Sequence, residues 1–207
     1  MKAVFGKTVF FLSAILALTA CGTPRNVIAH RGFWNCEEGG WSQNSLAAHK
    51  AAFEHGLWCT ELDCRITADD VIILNHGPKI NGKSIETHNY ADFSSARLPN
   101  GEHYPTLDEF LTLAEQYPDT RMIIEFKFHL EQSRGRRLVD DTFALLKKHG
   151  LDDPDRVSFL TYYPYIMMYV SRHYPQYPVG HVFFRNITPG LKGKMSNDPL
   201  RDRDTVK

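Results

Sequence analysis

Two short segments carry charges at a spacing that an ordinary buried strand avoids. In Arg121–Phe128 (RMIIEFKF), side chains alternate between faces. Met122, Ile124, Phe126 and Phe128 share one face; Ile123, Glu125 and Lys127 share the other. Thr60–Ile66 repeats the device, with Leu62 and Cys64 against Glu61 and Asp63. Val27–Ala29 runs into His30 and Arg31, and Val71–Leu74 runs into Asn75 and His76. Glu61, Asp63 and Glu125 are hard oxygen donors, suited to Ca²⁺ or Mg²⁺ rather than zinc. Brought together they repel one another, and a divalent cation resolves the conflict. His30 and His76 titrate near neutrality and suit a general acid and base pair. Arg31 and Lys127 suit a phosphate. Taken singly, each has a plainer reading as the wet side of an antiparallel sheet or a surface ion pair. Repetition at four strand ends favours a shared site.

Such a site needs strands whose ends converge. The spacing predicts strands at Val27–His30, Thr60–Ile66, Val71–Leu74, Arg121–Phe128, Arg156–Thr161 and Val179–Phe184. Helices are expected at Ser42–His55, with Ser42, Asn44 and Ser45 as cap candidates, and at Ser133–His149 and Tyr165–His173. A further helix opens at the capping box Thr106-Leu107-Asp108-Glu109, with Leu107, Phe110, Leu111 and Ala114 on one face. This alternation predicts an α/β parallel sheet with right-handed crossovers, open or closed into a barrel. In a barrel, the strand C-termini share one mouth. Most other histidines, His49, His55, His88, His103, His129, His149 and His173, read as solvated; His181 reads as a core residue.

The 207 residues hold 24 Lys+Arg against 24 Asp+Glu, with 43% apolar residues. That balance argues against disorder and against a nucleic-acid partner. Val9–Leu18 (VFFLSAILAL) is uncharged and too short to span a bilayer, so residues 1–20 read as a secretory leader. Leu18-Thr19-Ala20-Cys21 resembles the lipobox of bacterial lipoproteins, making Cys21 the lipid attachment site; the alternative is a plain signal cut nearby. Either reading exports the chain; the lipoprotein reading keeps it at the bacterial cell envelope, with a membrane met through the lipid anchor alone. Residues 21–26 are a tether, 27–187 a partial barrel, and 188–207 an irregular polar tail. Cys36, Cys59 and Cys64 have no metal spacing and read as structural.

In order along the chain, IAHRG, S-x-N-S, ELD, the histidine after VIILN, PTLDEFL and IIEFK resemble the glycerophosphodiester phosphodiesterases. The resemblance runs from Val27 to about Phe184. It implies a TIM-type barrel and metal-dependent hydrolysis of a small-molecule glycerophosphodiester to glycerol 3-phosphate and an alcohol. By the same resemblance His30 and His76 are the acid/base pair, Glu61, Asp63 and Glu125 the metal ligands, and Arg31 and Lys127 the phosphate contacts. The chain departs from the family at Gln43-Asn44-Ser45, where E-N-T is usual, and at Gly77, where an aspartate usually follows the histidine. A full barrel takes about 250 residues, and six of eight strands are readable here. The expectation is an incomplete barrel, two βα units short. The rival readings are a non-catalytic lipoprotein fragment and a related phospholipase-like barrel acting on intact lipids.

Overall fold

A computed structural model of the chain describes residues 27–182, 194–197 and 199. The leader read over residues 1–20, Cys21 and the tether at 21–26 lie outside the described residues. Along the chain the elements are β1 (Val27–Ala29), α1 (Leu46–Glu54), β2 (Cys59–Ile66), β3 (Ile72–Leu74), β4 (Lys79–Ile80), β5 (Lys83–Ser84), α2 (Leu107–Ala114), β6 (Arg121–Phe126), α3 (Gln132–Lys148), β7 (Val157–Thr161), α4 (Pro164–His173), β8 (Val179–His181) and β9 (Lys194–Ser196). No helix among the described residues is long and apolar enough to cross a membrane.

Six parallel strands in the order β8-β7-β6-β2-β1-β9 curl into a half-barrel. The face turned to the helices is the main core. Leu62, Cys64, Ile124, Phe126 and Phe159 meet Leu107, Phe110 and Leu111 of α2 and Leu138, Val139 and Leu146 of α3 there. The inner face has an apolar floor of Ile28, Cys59 and Ile123. Toward the strand C-termini that face turns polar. Alternation carries the chain from floor to site: Cys59 lies below Glu61 and Asp63, and Ile123 below Glu125. The ladder aligns Asp63 with Glu125, placing both carboxylates at one height. Among the described residues, Cys36, Cys59 and Cys64 are free thiols.

Two expectations are corrected. The third strand, β3, is not a barrel strand: it runs antiparallel to β2, pairing Cys64 with Leu74 and Ile66 with Ile72. A parallel connection needs a crossover of a dozen or more residues. Only residues 67–71 separate β2 from β3, and Thr67 closes the turn with hydrogen bonds to Asp69 and Val71. The reversal brings His76 back toward the mouth, with Asn75 N donating to Asp63 O at 3.0 Å. The tail from residue 188 is not irregular throughout. Lys194–Ser196 forms β9, parallel to β1 in register Ile28↔Met195, so backbone pairing outweighs the polar composition there.

Candidate active site

The first turn after β1 is built around Arg31 and Gly32. Both have positive φ, 60° and 78°. A Cβ on Gly32 would lie 2.7 Å from the Ala48 backbone, so only glycine lets α1 come this close. The turn aims the Arg31 backbone N–H at Glu61 Oε2, 2.9 Å away. The Arg31 side chain folds over the site, with Nη1 donating to Gln43 Oε1 at 2.6 Å and Nε 3.3 Å from Asp63 Oδ2.

Glu61, Asp63 and Glu125 are all buried, and one ligand oxygen from each lies within 4.8 Å of the others. Lys127 Nζ lies 2.7 Å from Asp63 Oδ1 and 2.6 Å from Glu125 Oε1. Glu125 and Lys127 are therefore inside the site and not a surface pair. The electrostatics follow from burial and neighbours. Burial and the charges of Asp63 and Glu125 push the Glu61 carboxyl well above the usual range. Burial also raises Glu125, against the pull of Lys127. Burial would raise Asp63 too, but Lys127, Asn44 and Arg31 together hold it below its ordinary value. Lys127 is disfavoured by burial, yet the two carboxylates raise its pKa.

This donor set fits a divalent cation. Three hard carboxylates converge with two side-chain cations, Arg31 and Lys127, beside them. Glu61 Oε1 is buried with no hydrogen-bond partner among the described residues. A buried acceptor left unmatched is costly unless something occupies it.

The histidines stand at the same mouth. His30 Nδ1 is 2.8 Å from Asn197 Oδ1, just past β9, leaving Nε2 as the ring's other functional atom. Burial lowers the pKa of His30. His76 is more exposed; burial and then Lys127 lower its pKa. Both imidazoles are therefore biased toward the neutral form, which a general base requires.

Several residues at the site were not legible beforehand. Asn44, expected only as a cap candidate, grips Asp63, while Ser45 takes the N-cap by accepting from Ala48 N. Gln43 partners Arg31. Glu102 accepts the α1 N–H groups of Leu46 and Ala47 at 2.8 and 3.1 Å from 56 and 55 residues away. Arg65 bonds backbone carbonyls of two mouth loops. The place of Arg65 was visible in principle, since it continues the alternation of Glu61 and Asp63. Three histidines read as solvated are not. His49 is buried, with Nδ1 2.8 Å from Thr60 Oγ1 and its ring edge-on to Phe110. His129 is buried and accepts from Ile66 N. The His149 ring lies between Asp108 and Glu115.

The model of the family described as "Glycerophosphoryl diester phosphodiesterase family" matches residues 30–189. A Mycobacterium tuberculosis protein described as "Probable glycerophosphodiester phosphodiesterase 2" is 31% identical over 109 residues, covering 50% of this chain and 39% of its own. The crystal structure of a glycerophosphodiester phosphodiesterase from Parabacteroides distasonis superposes with a TM-score of 0.71 at 31% identity, covering 76% of this chain and 65% of that one. A phosphodiesterase from Oleispira antarctica, solved in complex with the product sn-glycerol-3-phosphate, gives a TM-score of 0.63 at 20% identity over 75% and 65% of the two chains, a likeness of fold alone. The curled sheet is that of a TIM-type barrel. The chain spans less than two thirds of the length of each of these relatives.

Proposed function

Because the chain belongs to the glycerophosphoryl diester phosphodiesterase family, we propose that it hydrolyses glycerophosphodiesters to glycerol 3-phosphate and an alcohol, with a divalent cation held by Glu61, Asp63 and Glu125. The observation that carries this reading is the convergence of those three buried carboxylates within 4.8 Å, beside Arg31 and Lys127. A phosphodiester is a monoanion that repels nucleophiles, so its hydrolysis needs concentrated positive charge. A cation at the carboxylates supplies Lewis acidity toward the phosphoryl oxygens. Arg31, anchored by Gln43, and Lys127, anchored by Glu125, bind and orient the phosphate. Of the two imidazoles, one takes the proton of the attacking hydroxyl or water and the other protonates the departing oxygen. Asn197 holds the His30 ring through Nδ1, which leaves Nε2 as the atom for proton transfer. The P. distasonis relative supports the substrate class.

The test is release of glycerol 3-phosphate from glycerophosphocholine by the full chain, before and after chelation. Chelation, His30→Ala and His76→Ala should each cut turnover by roughly 10²-fold or more. Turnover that survives both histidine substitutions removes the acid/base assignment. Export and lipid attachment at Cys21 belong to the same proposal. Incorporation of labelled fatty acid into the chain in a bacterial host, lost in Cys21→Ala, tests it; equal labelling of both would refute it.

A further inference from the structure

Arg65 stands two residues beyond Asp63 on β2, on the inward face that Glu61 and Asp63 share. It is 8% exposed. Backbone carbonyls hold its guanidinium. Nε and Nη2 donate to His76 O at 3.3 and 2.9 Å, and Nη1 donates to Phe128 O at 2.9 Å. A buried cation is costly to maintain, and the planar guanidinium fork offsets that cost by bonding two separate carbonyls in a fixed geometry. The carbonyls come from different loops. One follows β3 and carries His76; the other follows β6 and belongs to the residue after Lys127. Beneath the fork, Lys127 N donates to Cys64 O and Asn75 N to Asp63 O, so both loops are stitched to β2 on either side of Arg65.

His76 has an exposed imidazole on a loop that follows a three-residue strand. A side chain placed that way keeps a productive geometry only if its backbone is fixed. Misplacement of a reacting group by about 1 Å costs roughly 10²-fold in rate. We propose that Arg65 is a positioning residue. By clamping the carbonyls of His76 and Phe128, it sets the His76 imidazole in place relative to Lys127 and the carboxylates. The inference rests on the reading of His76 as an acid/base group. It adds a residue that reaches the chemistry only through the two loops it ties.

The experiment uses the full chain with Arg65→Lys and Arg65→Gln, each alone and combined with His76→Ala. Glycerophosphocholine turnover is measured together with backbone amide exchange. Lysine keeps the charge but replaces the fork with a point donor. The expected result for both variants is a fall in kcat of roughly 10²-fold with KM changed by less than about threefold. In the His76→Ala background the same substitutions should cost less than about threefold, because the group they misplace is gone. Exchange should quicken at residues 75–77 and 127–130 and stay unchanged in α1. Full additivity with His76→Ala overturns the proposal, as does a rise in KM alone, which would make Arg65 a substrate contact. Unchanged exchange at both loops also overturns it. If the unsubstituted chain shows no turnover, the functional reading fails separately, and exchange still decides the clamp. Should both variants unfold, the Arg65 Nε–H signal in the unsubstituted protein decides: it must be protected from solvent exchange, and rapid exchange overturns the clamp.

Discussion

Asn44 holds Asp63 from two sides. Its Nδ2 donates to Asp63 Oδ2 at 2.8 Å, and its Oδ1 accepts the Asp63 backbone N–H at 3.1 Å. Asn44 does this from a left-handed backbone, φ 57°, a conformation asparagine tolerates better than most residues. Asn44→Ala loses both buried bonds and keeps the backbone strain, so it should destabilise the fold by about 2–4 kcal/mol in urea unfolding. Asn44→Asp keeps the backbone preference but sets a second carboxylate against Asp63. It should lose turnover by roughly tenfold or more while folding better than the alanine variant. Equal stability of the alanine variant and the unsubstituted chain would show the grip to be incidental.

The bond between His30 Nδ1 and Asn197 Oδ1 predicts a role for the end of β9. Asn197 is exposed, so Asn197→Ala should change stability by less than about 0.5 kcal/mol. It should nevertheless lower kcat by about tenfold, because the ring loses the contact that sets its tautomer and orientation. Steady-state kinetics beside a melting curve checks both halves. A full kcat would detach β9 from catalysis.

Glu102 caps α1 across a long sequence interval, and α1 begins right after the residues that hold Asp63 and Arg31. Glu102→Ala should cost about 1–2 kcal/mol, the worth of a good N-terminal cap with a favourable charge at the helix dipole. Glu102→Gln, which retains an acceptor, should cost less. Denaturant titration reads both; a neutral alanine variant would contradict the capping role.

Two buried imidazoles predict acid lability. Burial lowers His49 to about 3 and His129 to about 4, from an ordinary value of 6.5. A histidine whose folded pKa is depressed contributes stability that is present above 6.5. That stability is lost as the pH falls toward the folded value, because the unfolded chain takes up the proton first. Between pH 6.5 and 4.5 each should therefore cost about 1.4 kcal/mol per pH unit. Melting curves should drop across that window, and His49→Gln or His129→Gln should flatten the slope. The same slope in all three proteins would mean the imidazoles are not the cause.

What could be read from the sequence was what alternation controls. Glu61, Asp63, Glu125 and Lys127 fall on an inward face because strands have a period of two, and that needs no tertiary knowledge. The capping box at Thr106 and Glu109 forms as its spacing implies. Asn44, Glu102 and Arg65 act across 19, 56 and 63 residues, and no local pattern encodes such partners. The antiparallel return of β3 was available from the five residues between Ile66 and Ile72, which are too few for a crossover. The polar segment at Lys194–Ser196 pairs through its backbone, which composition does not reveal. His49 and His129 are buried with hydrogen-bond partners inside the fold, Thr60 for the first and Ile66 N and Lys127 O for the second; a lone polar residue on a helix or loop gives no sign of that.

The central claim is that Glu61, Asp63 and Glu125 share one divalent ion. Calorimetric titration of Ca²⁺ and of Mg²⁺ into the chelator-stripped protein tests it directly, beside Glu61→Gln, Asp63→Asn and Glu125→Gln. The account predicts one ion per chain in the unsubstituted protein, with binding weakened about tenfold or more in each variant. Titration curves that are flat throughout, or identical in all four proteins, would contradict it.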